Sequence, residues 1–241
     1  MRVLLRRIIR VIAGCLCLAL AAGVVVVVYT LAQLPALDAF REPARYGELL
    51  EKMHPPAKAV NPAPCTYADL PAPLVDAFLA AFNPRYFTEP GHDVWYFNQP
   101  TRDLIELFMP KADRKGLAPW AMLRFSILSH RLTWGLSKEE ILCAYLNTFR
   151  YEPGVYGINT AALRYLGKDV SRCDLRECVM LMAVTLSNVA PRGRPRDGER
   201  LEWIGNFILK RMLDYGMISE EERAEVKKTG FRLAYEGQLR L

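Results

Sequence analysis

Few stretches of this chain combine residue types that do chemistry. Glu89 stands in a Pro- and Gly-containing loop with His92 and Asp93 close behind it. A carboxylate so placed is equipped to act as a general acid, while a solvated loop acid without a fixed partner does nothing of the kind. Trp95, Tyr96 and Phe97 form an aromatic run able to stack on sugars, to touch lipid headgroups or to plug a cleft. Arg192, Arg194 and Arg196 follow in a Pro-rich loop, where guanidinium groups either grip phosphate or solubilise a turn. His54, His92 and His130 do not cluster at metal-ligand spacing, so no metal site is expected, and no motif asks for a cofactor. Cys65, Cys143, Cys173 and Cys178 lack Cys-x-x-Cys spacing and read as buried small hydrophobes, with a disulfide such as Cys173–Cys178 or one through Cys65 open in an oxidising compartment.

The elements that must position such groups are helical. Ser137 and Glu140 make a capping box for a helix whose Ile141, Leu142, Tyr145 and Leu146 share one face. Gly154 and Gly157 permit a tight loop, and Ile158 to Tyr165 reads as a second helix stopped at Gly167. Asp174 caps a third, nearly all-apolar helix from Leu175 to about Leu186, which must be buried. Further helices are expected over Arg45–Met53, Leu74–Phe82, Thr101–Met109, Ala121–Trp134 and Leu201–Met217, with a short one after Ser219. No long alternating run supports a sheet, so the fold class is all-α.

The N-terminus carries a separate signal. No charged residue occurs from Val11 to Leu31, a length that crosses a bilayer as one helix. Arg2, Arg6, Arg7 and Arg10 precede it, which predicts a cytoplasmic N-terminus and a domain on the far side of the membrane. A cleaved signal peptide would want a shorter core and a small-x-small exit, and the Cys15 lipoprotein box has too little apolar sequence before it. Four of the 32 basic residues lie in that flank, leaving 28 against 26 acidic residues in the rest, so the basic balance is a topology signal and not one for nucleic acid. The expected organisation is a flank (1–10), an anchor (11–31), a Pro-rich linker (32–66), a domain (67–230) and a tail (231–241).

Lys-x-x-Ile-Leu-x-x-Tyr-Leu-Asn (138–147), then Tyr-Gly-Ile-x-x-Ala-Ala-x-x-Tyr-x-Gly-Lys (156–168), resembles the family 51 glycosyltransferases, the peptidoglycan transglycosylases that polymerise lipid II. The resemblance is clear from about Leu128 to Val226 and implies a lysozyme-like domain whose partners are the bilayer, peptidoglycan synthases or a lipid-linked glycan precursor. Its motifs place the family's catalytic glutamate at Asn83 and the adjoining aspartate at Pro84, with Phe87 and Glu89 to Gly91 setting the register. The second motif glutamate falls at Phe125 and the Arg-Lys pair before it at Ala121-Met122, with Arg124 one step away. The Arg-Arg pair of a later motif falls at Ile204-Gly205, and the Gly-Gly-Ser-Thr-Ile-Thr-Gln-Gln signature is missing. An amide does not take a proton near pH 7, so the expectation is a scaffold without its catalytic residues. Glycan contacts are then expected at Arg85, Phe87, Arg124, Tyr145 and Asn147, and Glu89 is the remaining candidate for a general acid in a glycan-cleaving or divergent polymerising enzyme.

Overall fold

The computed structural model describes residues 2–33, 36–53, 63–88, 99–108, 119–152, 154–189 and 198–231. Among them the chain is helical apart from one short hairpin. Helix α1 (Arg2–Gln33) contains the apolar run Arg6–Ala32, 27 residues of mean hydropathy 2.9 and long enough to span a bilayer as a single-pass anchor. The short α2 (Asp38–Arg41) and α3 (Tyr46–Met53) follow, joined by a 3-10 turn at Pro43–Arg45. Next come α4 (Ala72–Ala81), α5 (Gln99–Phe108), α6 (Pro119–Gly135) and α7 (Lys138–Thr148). Beyond the hairpin lie α8 (Ile158–Leu166), α9 (Leu175–Val189), α10 (Gly198–Asp214) and α11 (Glu220–Thr229).

The expected boundaries hold to within a turn, and the capping chemistry shows why. Ser137 Oγ accepts the Glu140 N–H at 3.1 Å, and the Glu140 carboxylate accepts the Ser137 N–H at 2.8 Å. Asp174 and Glu177 make the same reciprocal pair at the start of α9, both bonds at 2.9 Å. Each box satisfies amide groups that the first turn of a helix leaves without a partner. At the other end of α8, Gly167 takes φ +70°, the left-handed cap that a side chain disfavours.

Helix α9 is the axis of the core, with Cys178 to Thr185 all buried as an uninterrupted apolar helix requires. It packs between α4 and α10, while α7 packs against α5, α3 and α2, and α6 against α5 and α1. The strands β1 (Arg150–Glu152) and β2 (Val155–Tyr156) pair antiparallel, Arg150 with Tyr156 and Glu152 with Val155, across Gly154 at φ +84°. This two-stranded ribbon occupies the glycine loop expected between two helices.

Part of the stretch expected to be a linker is folded. Ala39, Phe40, Tyr46, Leu49 and Leu50 of α2 and α3 are fully buried. The Arg41 guanidinium bonds Glu140 at 3.0 Å, tying α2 to the cap of α7. The prolines mark this stretch as a linker in the sequence, but Phe40, Tyr46 and Leu49 join the apolar core that includes α7, and Leu50 packs with Tyr156. The cysteines are free thiols, Cys65, Cys143, Cys173 and Cys178 all buried.

Candidate functional site

The end of α4 carries the first group of candidate residues. Helix α4 closes at Phe82, and Asn83-Pro84 begins a turn because the residue before a proline avoids helical backbone. Asn83 Oδ1 accepts the Arg85 N–H at 2.9 Å and its carbonyl accepts the Tyr86 N–H at 3.1 Å. Thr88 closes the next step, its N–H and hydroxyl donating to the Arg85 carbonyl at 3.0 and 3.1 Å. The Asn83 amide is thus a turn-forming group, the Asx geometry that short polar side chains favour.

Below the turn, Tyr86 is fully buried and donates its hydroxyl to the Lys138 carbonyl at 2.8 Å. The Lys138 ammonium donates back to the Tyr86 carbonyl and lies 5.6 Å from the ring centroid. The first turn of α7 therefore clamps the turn after α4. Phe87 is half-buried between Tyr67 and Tyr86, with centroids 6.4 and 5.0 Å away, and Arg85 is exposed. Asn83, Arg85 and Phe87 lie on the turn that follows α4, and residues 82–88 include no carboxylate.

Tyr145 and Asn147 lie deeper. Tyr145 is 2% exposed, enclosed by Phe78, Phe82 and Phe149 at centroid distances of 6.3, 6.5 and 5.5 Å. Burial pushes its phenol well above the ordinary value, and the neighbouring Asp103 carboxylate adds to the shift. Asn147 has no exposed surface; its amide is spent on the backbone of Cys65 and on the Cys143 carbonyl. A glycan on the surface cannot reach it, so the contact expected for Asn147 is replaced by an internal role. The signal that selected both residues, their place in a family motif, marks packing as readily as binding.

The second group sits on α6. Phe125 is half-buried against the core, and the Arg124 guanidinium lies 5.4 Å from the ring centroid of Tyr29 on α1. Arg124 thus faces the anchor helix, because the step from the motif position to its neighbour turns a side chain by about 100° around a helix. Glu89, His92, Asp93, the 95–97 aromatic run, His54 and the three arginines at 192, 194 and 196 lie outside the described residues. Asp103 escaped the sequence reading because α5 offers no motif and only the packing of α5 on α7 brings it beside Tyr145. Among the described residues no group of three His, Cys, Asp or Glu side chains could hold a metal ion.

A predominantly helical, lysozyme-like domain behind one apolar N-terminal helix is the class to which these elements and the following match point. Residues 119–212 match the family model described as Transglycosylase. The biosynthetic peptidoglycan transglycosylase of Brucella suis is 32% identical over 104 residues, 43% of this chain and 42% of that protein. Penicillin-binding protein 1C of Escherichia coli is 37% identical over 105 residues, 43% of this chain and 13% of its own length. Penicillin-binding protein 1A of Neisseria flavescens is 27% identical over 179 residues, 66% of this chain and 22% of its own. The likeness to the transglycosylases thus lies in residues 119–212, and the chain spans less than half the length of these relatives.

Proposed function

We propose that this protein is a non-catalytic transglycosylase of peptidoglycan synthesis, held in the inner membrane by α1, that binds a cell-wall synthase or a lipid-linked glycan. The observation that carries the proposal is Asn83. At the position that the family resemblance gives to the catalytic glutamate stands an amide, and its oxygen is engaged by the Arg85 N–H at 2.9 Å. Glycosyl transfer to a sugar hydroxyl needs a base to take the hydroxyl proton, and a carboxamide has no basic lone pair to offer. Phe125, at the second glutamate position, is packed against the core, and Ala121-Met122 replaces the cations that would hold pyrophosphate. Arg85, exposed, and Phe87, half-buried, on the turn after α4 suit recognition of a sugar or its phosphate without chemistry.

The arginines at 2, 6, 7 and 10 support a cytoplasmic N-terminus with the domain in the periplasm. The test is polymerisation of lipid II by the purified full chain with Asn83 intact. No glycan strands should form under conditions in which an active relative makes them, and strand formation would refute the non-catalytic reading. Binding of lipid II without turnover separates a glycan-binding role from a pure protein adaptor. The competing reading is a divergent enzyme using Glu89, and it requires that Glu89→Gln abolish a glycan turnover measurable in the parent.

A further inference from the structure

Helix α10 buries Leu201, Ile204, Ile208, Leu209 and Met212, and it packs against α9, α4 and α11. Its other side carries a row of large side chains at four-residue spacing. Trp203 is 68% exposed, Phe207 38% and Tyr215 48%, and Arg211 stands half-buried between the last two. Four residues make slightly more than one turn, so the row is a ridge about 18 Å long that slants across the helix.

The ridge is ordered without a partner. The Trp203 and Phe207 rings stack at 6.0 Å with their planes 10° apart. The Arg211 guanidinium lies 5.5 Å from the ring centroids of both Phe207 and Tyr215 and donates to the Tyr215 hydroxyl at 3.2 Å. Side chains already held in one arrangement lose little freedom when they are covered. Tryptophan, tyrosine and arginine are also the residues that most often carry the binding energy of protein interfaces. A ring stacked on its neighbour has less face to offer a sugar, so the ridge suits a protein surface better than a glycan.

The pattern of the ridge is complementary to itself. Trp203 and Arg211 stand four residues to either side of Phe207. Ridges with this spacing interdigitate when two helices cross at about 50°. A two-fold axis through such a crossing at Phe207 sets Arg211 of each copy beside Trp203 of the other, and indole is the ring that attracts a guanidinium best. The two guanidinium groups are then roughly 12 Å apart, beyond the screening length of about 8 Å at physiological salt. Lys210 and Asp214, next to the ridge, neutralise each other within the helix.

We infer that α10 is a contact between two copies of this chain, paired antiparallel across Phe207 with Arg211 of each on Trp203 of the other. At about 150–250 Å² for a whole aromatic side chain, the three rings offer roughly 300 Å² per copy. A standard interface buries about 800 Å² per partner. The ridge is therefore the centre of a weak dimer, one that forms where copies are concentrated, as α1 would concentrate them in one membrane.

The full chain with Cys15→Ser and Cys17→Ser, which leaves the buried thiols in place, is reconstituted in phosphatidylethanolamine–phosphatidylglycerol vesicles and mildly oxidised. Phe207→Cys should give a disulfide dimer several-fold above Leu163→Cys, an exposed position on α8 that reports random collision. Trp203→Cys and Arg211→Cys should cross-link when the two variants are mixed and several-fold less when each is alone. The mixed pair also keeps one native contact of Arg211 with Trp203. Dimers at the collision level overturn the inference. So do Trp203→Cys or Arg211→Cys dimers that form as readily alone as mixed, because the pairing would then be parallel. Independently, energy transfer between copies labelled at the C-terminus should fall several-fold in Trp203→Ala and in Arg211→Ala, with an unchanged thermal melt. Unchanged transfer in both variants overturns the inference. Copies that stay apart while Trp203→Ala weakens lipid II binding also overturn it, because the ridge would then serve the glycan.

Discussion

Asn147 holds both backbone polar groups of Cys65: its Oδ1 accepts the Cys65 N–H at 3.0 Å and its Nδ2 donates to the Cys65 carbonyl at 2.9 Å. A buried asparagine thus does for residue 65 what a neighbouring strand would do, and it joins the chain entering the domain to α7. The Cys143 thiol donates to the same carbonyl at 3.3 Å, and burial pushes the Cys65 thiol up to about 12, so it stays protonated at neutral pH.

Replacing Asn147 by Ala leaves the Cys65 N–H without this acceptor in a buried site. The expected loss is about 2–3 kcal/mol of unfolding free energy, read as a lower denaturant midpoint with unchanged slope. A loss within 0.5 kcal/mol would mean that the segment re-pairs elsewhere.

Tyr86→Phe keeps the ring and removes only the hydroxyl that reaches the Lys138 carbonyl at 2.8 Å. The cost should be about 1 kcal/mol. Amide exchange should quicken at residues 83–88 and leave α9 untouched, because the turn hangs on this clamp while α9 is buried independently of it.

Gly167 ends α8 at φ +70°, and a Cβ added there meets nothing within 4 Å. Gly167→Ala therefore costs conformational strain alone, about 1 kcal/mol. Gly167→Asn should cost less, since asparagine tolerates the left-handed region. Thermal melts of the two variants give the order.

Acid should weaken the domain through Glu177 and Asp169. Burial alone would raise the Glu177 carboxyl, but the bonds from Lys168 and from the Asp174 N–H outweigh it and hold Glu177 below its ordinary 4.5. The Ser171 backbone and hydroxyl, then the Asn159 amide, hold Asp169 below 3.8. Both pKa values are depressed in the folded state, so the stability they supply is complete above about pH 5 and is lost as pH falls through the folded values. Glu177→Gln with Asp169→Asn should flatten the fall in unfolding free energy between pH 5 and pH 3.

Asn83→Glu alone should not produce lipid II polymerisation. A carboxylate there would still lack the second acid and the cations, if these fall at Phe125 and Ala121-Met122 as the resemblance implies. Strand formation by this single variant would show that the rest of the machinery is intact and that only the base was exchanged.

The sequence by itself determined the helices around α9 and their ends. Periodicity, two capping boxes and a left-handed glycine are local, and local backbone preferences need no distant partner to act. It also carried the family resemblance, because the motif on α7 and α8 is made of residues that pack the scaffold. Tertiary structure decided which motif residues face outward. Tyr145 and Asn147 share a motif with exposed positions yet lie in the core, while the turn bearing Asn83, Arg85 and Phe87 is fixed by the bond of Tyr86 to Lys138. It alone showed that α2 and α3 are part of the core, that Asp103 lies beside Tyr145 and that Arg124 faces Tyr29. Those are relations between elements far apart in the chain, and only the burial of apolar surface between helices brings them together.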